Sequence, residues 1–417
     1  MRPPNLNREW YASPYTGLFA ESGLVPLQAH DPAVPIWSGT APLPDPGADP
    51  PASGGAGWDE ASAEAAGVGE AIERWQAWPL PCDQTVVASL NGWPLDEPVL
   101  GPDRWVLFHT EQHALPNFPY EPFTPETVCR WVCAREAATG RPAWVPEELV
   151  YLTLPRGRSA QLCPLVSSGL VCGRRGQPVL LRGLQEVIER DAALGAAWGR
   201  YPLEEHSAKR VFGLLGPRIA DRVRRPNLTY RFYRVATPFS AHATLVTLEG
   251  EDRVGYCFSV GAACRETRAA SWSKSLLEAV QGRHYVRYLK ARYLEEGRGV
   301  DVPGSFADHA VYYSLHPDPL KATALGRPTA VDSDPDADLT EGMAVLAARL
   351  GARRPVLFRN LTPPGLATER LDWYVLRVLV PGLQPLHGHH ELPFLGGPLW
   401  APRGRADWAA MPPHPFP

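Results

Sequence analysis

Leu228-Thr229-Tyr230-Arg231-Phe232-Tyr233-Arg234-Val235 alternates its side chains with a period of two, and Ala243-Thr244-Leu245-Val246-Thr247-Leu248 and Val254-Gly255-Tyr256-Cys257-Phe258-Ser259-Val260 follow it. Rich in β-branched and aromatic residues, these stretches read as three strands, the last two joined across Glu249-Gly250-Glu251-Asp252 as a hairpin. Pro355-Val356-Leu357-Phe358-Arg359 and Tyr374-Val375-Leu376-Arg377-Val378-Leu379-Val380 supply later strands. Helical stretches interleave with these hairpins. The pattern favours an α+β fold with mixed and antiparallel sheets over a doubly wound parallel one.

Moving outward, the period changes to that of a helix in three places. Gly69-Glu70-Ala71-Ile72-Glu73-Arg74, Gln185-Glu186-Val187-Ile188-Glu189-Arg190 and Leu277-Glu278-Ala279-Val280-Gln281-Gly282-Arg283 each put two oxygen-bearing side chains three residues apart, hence on one face. The expected helices run over about 58–78, 178–198 and 268–289. In the first, Ala65, Val68, Ile72 and Trp75 form the apolar stripe, with Glu70, Glu73 and Ala66 on the other side. In the second, Leu181, Leu184 and Ile188 form it and Arg182 shares the side of Glu186 and Glu189. In the third, Lys274 accompanies Glu278 and Gln281. Taken singly, each Glu face is a solvated surface with i,i+4 ion pairs. Taken together, three such pairs suit one site for Mg²⁺, which favours a few carboxylates plus phosphate oxygens.

Composition bounds the alternatives. The chain has 417 residues, 44% of them hydrophobic and 21% charged, with a formal net charge of -4, so a large folded core is expected and disorder is not. No Lys/Arg run offers a phosphate-neutralising stripe, which argues against a nucleic-acid partner. No apolar stretch is long enough for a membrane span and Met1-Arg2-Pro3-Pro4-Asn5 lacks a secretory core, so a cytoplasmic location is expected. Seven cysteines do not suggest a disulfide framework. Cys129 and Cys133 are spaced as neighbours on a helix face and read as structural thiols. Pro42 to Pro51 reads as a loop running into Gly54-Gly55-Ala56-Gly57 and bordering whatever the first helix binds. His387-Gly388-His389-His390, in a Pro/Gly-rich stretch, reads as a solvated loop. Walker, dinucleotide, Gly-x-Ser-x-Gly and His-Glu-x-x-His motifs are absent.

The assembled residues resemble the YcaO family, whose members use ATP to phosphorylate a peptide-bond oxygen. Leu165-Val166-Ser167-Ser168-Gly169-Leu170-Val171-Cys172-Gly173 is similar to the family's Ser-Asn-Gly-Leu-Ala-x-Gly loop, and Glu186 to Ala192 to its Glu-x-x-Glu-Arg-Asp-Ala helix. The segments at Gly69 to Arg74 and Glu278 to Arg283 match the other two elements in order, and the likeness extends from about Ser13-Pro14-Tyr15-Thr16-Gly17 to the last residue. The resemblance implies a YcaO-like fold with helices surrounding an ATP and Mg²⁺ site. It assigns Glu70, Glu73, Glu186 and Glu189 to Mg²⁺, and Glu278, Gln281, Arg283 and Ser167 to the nucleotide. Arg283 points away from Glu278 and Gln281 on an ideal helix.

This sequence departs from the family at Ala56, where Lys is usual in a Gly-Gly-Lys-Gly loop, at Ala66, where Ser is usual, and at Ser168, where Asn is usual. One charge and one hydroxyl are thereby lost to the site, with Arg182 or Lys274 as the expected compensation, and a non-catalytic scaffold is the reading these losses favour. Pro413-His414-Pro415-Phe416-Pro417 resembles the tail of azoline-forming YcaO cyclodehydratases. Alternate prolines stiffen such a segment, so Pro413 and Pro415 would deliver the carboxylate of Pro417 as a proton acceptor.

The resemblance thus implies a cyclodehydratase turning Cys, Ser or Thr of a ribosomal precursor peptide into thiazoline or oxazoline. A thioamide- or amidine-forming enzyme is the alternative. Residues 1–57 are expected as an N-terminal segment and 58–417 as the YcaO-like domain, continuous with it. Because the chain starts almost directly at that region, a separate leader-binding ThiF-like partner is expected, with an FMN-dependent azoline dehydrogenase as a further partner and a homodimer compatible with the sequence.

Overall fold

The computed structural model describes residues 19–40, 52–80, 83–154, 160–331, 338–364, 366 and 372–417. The proline-rich stretch Pro42 to Pro51 and the Ser13 to Gly17 segment lie outside them. Fourteen strands are described, β1 (Glu21–Leu24), β2 (Ile36–Thr40), β3 (Ala52–Ala56), β4 (Thr85–Ala88), β5 (Cys129–Glu136), β6 (Pro142–Pro146), β7 (Leu170–Arg174), β8 (Leu203–His206), β9 (Leu228–Val235), β10 (Thr244–Asp252), β11 (Gly255–Ala263), β12 (Thr329–Ala330), β13 (Leu357–Asn360) and β14 (Trp373–Leu379). The α-helices are α1 (Glu60–Gln76), α2 (Thr110–His113), α3 (Val179–Ala197), α4 (Ala208–Leu215), α5 (Pro217–Val223), α6 (Arg268–Glu295), α7 (Phe306–Leu315) and α8 (Met343–Leu350).

Three sheets result. The first has the order β1-β2-β3, the second β11-β10-β9-β8-β12 and the third β4-β5-β13-β14-β7, with β6 pairing β5. Among the described residues every strand pairing is antiparallel except β12 with β8, as expected of a mixed α+β fold. The expected hairpin forms, but its strands continue through Asp252 opposite Gly255, so the turn is Arg253-Val254 rather than Glu249 to Asp252. Pairing with β9 runs as far as Gly250, and pairing with β11 carries the ladder on through Glu251 and Asp252.

The first two acidic helices form within two residues of their expected limits and the third starts where expected but runs six residues further, to Glu295, all with sequence-local starts. Asp59 accepts from the Ser62 N–H at the head of α1 and Thr267 from the Ala270 N–H at the head of α6, each satisfying a donor that the first turn leaves free. Their burial differs from a simple stripe. On α1, Ala63, Val68 and Ile72 are buried while Ala65 and Trp75 are exposed, because β2 and β3 cover the side facing Ala63. Helix α3 is buried on nearly every face, Leu184, Val187 and Ile188 included, since it is packed between the second and third sheets. Helix α6 lies directly on β11: a Cβ at Gly261 would stand 2.1 Å from the Ser275 carbonyl oxygen, so only glycine permits this approach.

Two expectations are corrected. Cys129 and Cys133 lie on β5, not on a helix, because pairing with β4 and β6 through the Trp131-Val132 stretch and with β13 through Arg135-Glu136 outweighs local helical spacing. Burial pushes the Cys129 thiol up to about 12, consistent with a structural role. His387 is not in a solvated loop; it is 1% exposed and packs against His309, Trp198 and His414. No helix among the described residues is long and apolar enough to cross a membrane.

Candidate functional site

Helices α1, α3 and α6 bring their acids together. The Glu73 carboxyl is pushed well above the usual range by burial and by the charges of Glu186 and Glu70. Burial and the neighbouring Glu278 raise Glu189 to about 8, with Glu186 adding to the effect. Glu186 is raised as well, chiefly by burial, against the pull of Arg190 and of the Gly169 N–H that donates to it at 3.3 Å. Carboxyls from three distant stretches therefore feel one another through a shared, poorly hydrated volume.

Backbone amides and cations frame that volume. The Cys264 N–H donates to Glu189 at 3.2 Å with the Arg265 guanidinium at 3.8 Å, and the Ala262 N–H donates to Glu278 at 3.3 Å with Lys274 at 3.1 Å. Arg190 stands 4.0 Å from Glu186. Glu70 lies at the margin, accepting from the Gly54 N–H at 2.7 Å and from Arg74 at 2.5 Å. Gln281 reaches the same margin, its amide so close to Gly54 that a Cβ there would be 3.0 Å from Nε2.

Beneath Glu73 and Glu186 lies Arg377 of β14, 2% exposed. Its Nε donates to the Leu149 carbonyl at 2.9 Å and one Nη to the Val166 carbonyl at 2.7 Å, while the other Nη has no hydrogen-bond partner. Desolvation lowers this guanidinium to about 10 even though both carboxyls pull the other way. Arg190, Arg265 and Arg377 were not singled out in the sequence. An arginine between Leu376 and Val378 in an apolar strand was the legible sign for the third.

Of the other expected site residues, Ser167 lies in the loop whose Gly169 N–H reaches Glu186, while Arg283 and the tail residues are engaged elsewhere. Ser167 accepts from the Leu170 N–H at 2.8 Å through its carbonyl, and the Ser168 hydroxyl accepts from the Leu386 N–H at 3.4 Å. Their loop is fixed by Gly169, whose φ of 83° and whose approach to the Val378 carbonyl exclude a Cβ. Arg283 is turned away from the acids, donating to the Gly250 and Glu251 carbonyls and to Asp252 at the end of the β10–β11 hairpin. Ala56 belongs to strand β3 and Ala66 is exposed on α1. Of the two expected compensating cations, Arg182 bonds Gln185 and Glu266 at 2.7 and 2.6 Å, and only Lys274 joins the cluster. The tail is packed rather than frayed: Tyr313 donates to the Pro413 carbonyl at 2.6 Å, Pro413, His414, Pro415 and Phe416 are buried, and Pro417 is exposed. Its hydrogen bonds run to α7 and the His387 loop.

The donor set fits Mg²⁺. Glu73, Glu186 and Glu189 are hard oxygen donors, and their raised carboxyls mark a site short of positive charge that a divalent cation would supply. This yields an expected result. Groups raised in the folded chain hold protons that the unfolded chain releases, so stability falls as pH rises from about 4.5 toward 8. Mg²⁺ should displace those protons, binding roughly tenfold tighter per pH unit for each proton released. Thermal melts should show a larger Mg²⁺ stabilisation at pH 8 than at pH 6; an equal shift would disconnect the acids from the ion.

A sequence model of the family described as YcaO cyclodehydratase, ATP- and Mg²⁺-binding, matches residues 54–384. No curated protein sequence matches. Among solved structures, a heterocyclase in complex with substrate and cofactor is similar with a TM-score of 0.73 and 15% identity, over 98% of this chain and 56% of that one. A YcaO from Methanopyrus kandleri bound with AMPPCP and Mg²⁺ gives 0.55 and 19%, over 88% of this chain and 86% of that one. The E. coli microcin synthetase McbBCD complex with pro-MccB17 bound gives 0.61 and 13%, over 95% of this chain and 96% of that one. At these identities the likeness is one of fold, and the chain spans little more than half of the first heterocyclase.

Proposed function

The chain belongs to the YcaO family, and from that premise we propose that it is an ATP-dependent cyclodehydratase converting Cys, Ser or Thr of a ribosomal precursor peptide to thiazoline or oxazoline. The observation that carries the reading is the meeting of Glu73, Glu186 and Glu189, from two separate helices, in one volume where their carboxyls resist ionisation. In the reaction, the side-chain thiol or hydroxyl adds to the preceding amide carbonyl and closes the five-membered ring, the resulting hemi-orthoamide oxygen takes the γ-phosphoryl group of ATP with release of ADP, and phosphate leaves as the C=N bond forms with loss of the amide N–H proton. Mg²⁺, when bound, neutralises phosphate charge during that transfer.

Glu73, Glu186 and Glu189 would hold the ion, with Glu70 released from Arg74 to join them. Arg190 and Arg265 keep Glu186 and Glu189 oriented, and Lys274 and Gln281 border the phosphate side. Arg377 limits repulsion between Glu73 and Glu186 from below. The tail, pinned by Tyr313, is assigned the role of proton acceptor through Pro417, with Pro413 and Pro415 holding its direction. We extend the reading to one continuous domain over 58–417, a leader-binding ThiF-like partner and an FMN-dependent azoline dehydrogenase; the likeness to a chain of the McbBCD assembly supports a multi-protein setting.

The test is the purified chain with Mg-ATP and a Cys/Ser/Thr-rich peptide, with and without a leader-binding partner, followed by mass spectrometry. Loss of one water per modified residue, dependent on the partner, is expected. Exchange of oxygen for sulfur would overturn ring formation in favour of thioamidation. Ala56 and Ala66 favour a second reading, a non-catalytic scaffold, since neither offers a charge or hydroxyl to phosphate. Calorimetry with Mg-ATP on the assembled complex separates the two, because a scaffold releases no binding heat.

A further inference from the structure

Three histidines meet outside the acidic site. His309 of α7, His387 of the segment after β14 and His414 of the tail are all buried, 0%, 1% and 2% exposed, and one ring nitrogen from each lies within 4.8 Å of those from the other two. Two of the rings are held in a tautomer that leaves a lone pair free. The His309 Nδ1–H donates to the His414 carbonyl at 2.7 Å, so Nε2 carries the lone pair and has no partner. The His414 Nε2–H donates to the His387 carbonyl at 2.7 Å, so Nδ1 carries it and accepts only a 3.3 Å contact from the Phe416 N–H. Neither nitrogen of His387 has a hydrogen-bond partner among the described residues.

Buried nitrogens without partners are costly, and a ring that gives its other N–H to a backbone carbonyl is how metal-binding histidines are oriented. We propose that His309, His387 and His414 form a binding site for a borderline divalent transition metal of the Zn²⁺ type, which ties the tail to α7 and the His387 loop. Three imidazoles with no carboxylate or thiolate select such ions over Mg²⁺, so this site and the glutamate cluster take different metals. Burial keeps the rings neutral, His309 near 3 and the other two well below the usual range, so protons do not compete for the lone pairs at neutral pH.

The fourth position falls to water or to His390, whose Nδ1 also lacks a partner and whose ring centroid lies 6.2 Å from that of His309. Zn–N bonds of about 2.0–2.1 Å require the nitrogens to draw closer. The rings of His309 and His414, parallel at 3.8 Å, must therefore splay and the Phe416 contact must be given up.

The test uses the full chain, stripped by chelator and held in excess Mg²⁺ to fill the acidic site. One Zn²⁺ per chain should bind by calorimetry, Co²⁺ should give the intense visible bands of a low-coordinate nitrogen site, and Zn²⁺ should raise the melting temperature. His387→Gln should weaken Zn²⁺ at least tenfold, while His389→Gln should leave affinity within twofold. A wild-type chain that takes up no stoichiometric Zn²⁺ and shows no Co²⁺ bands overturns the proposal whether or not the variants fold. Unchanged affinity in a folded His387→Gln chain overturns it equally.

Discussion

Glu189→Gln is expected to slow ATP turnover by about 10²–10³-fold while making the metal-free chain melt higher at pH 8. The amide is nearly isosteric and still accepts from the Cys264 N–H, so packing is preserved. It cannot supply the negative oxygen that a divalent ion needs, and losing one such electrostatic contact costs on the order of 10²–10³-fold in rate. Stability moves the other way. The folded wild type holds a proton on Glu189 up to about pH 8, and the unfolded chain releases it near 4.5, so folding becomes less favourable across that window by about 1.4 kcal/mol per unit. Glutamine needs no proton and escapes the loss, so the two proteins should melt together near pH 5 and diverge by pH 8. Melts and ATPase assays across that range check it. A residue of purely structural importance would lose activity and stability together.

Arg377→Met is expected to cost about 3–5 kcal/mol of stability, as removing one member of a buried charged group does. Two carbonyls, of Leu149 and Val166, lose their donor, and Glu73 and Glu186 lose the cation beneath them. Val166 leads into the Gly169 turn, so the loop that donates to Glu186 should loosen as well. Arg377→Lys should recover only part of this, since one ammonium on a flexible stem cannot reproduce the planar fork. Urea unfolding gives the number. A change below about 1 kcal/mol, the range of an exposed pair, would mean that Arg377 does not balance the acids.

Much of this is legible in the amino-acid sequence. Strong periodicity places α1, α3 and β9 to within two residues, because amphipathic patterns and local caps speak for themselves, whereas α6 runs six residues and β10 four residues past their expected ends. The convergence of the glutamates followed from their repeated spacing. What stayed hidden depends on tertiary partners. Helical spacing at Cys129 and Cys133 was misleading because strand pairing decides β5. Arg265 and Arg377 lie far in sequence from the acids they face, and Arg283, though inside a matching motif, is claimed by Asp252. His387 read as solvated because its burial is created by α7 and the tail.

The acids come from helices distant along the chain, joined through the sheets on which they pack, and that separation governs kinetics. Such non-local contacts form late, after the individual hairpins and helices, so they contribute little to the folding barrier and much to the barrier for escape. An ion gripped by α1 and α3 should leave the refolding rate nearly untouched and slow unraveling in proportion to its occupancy.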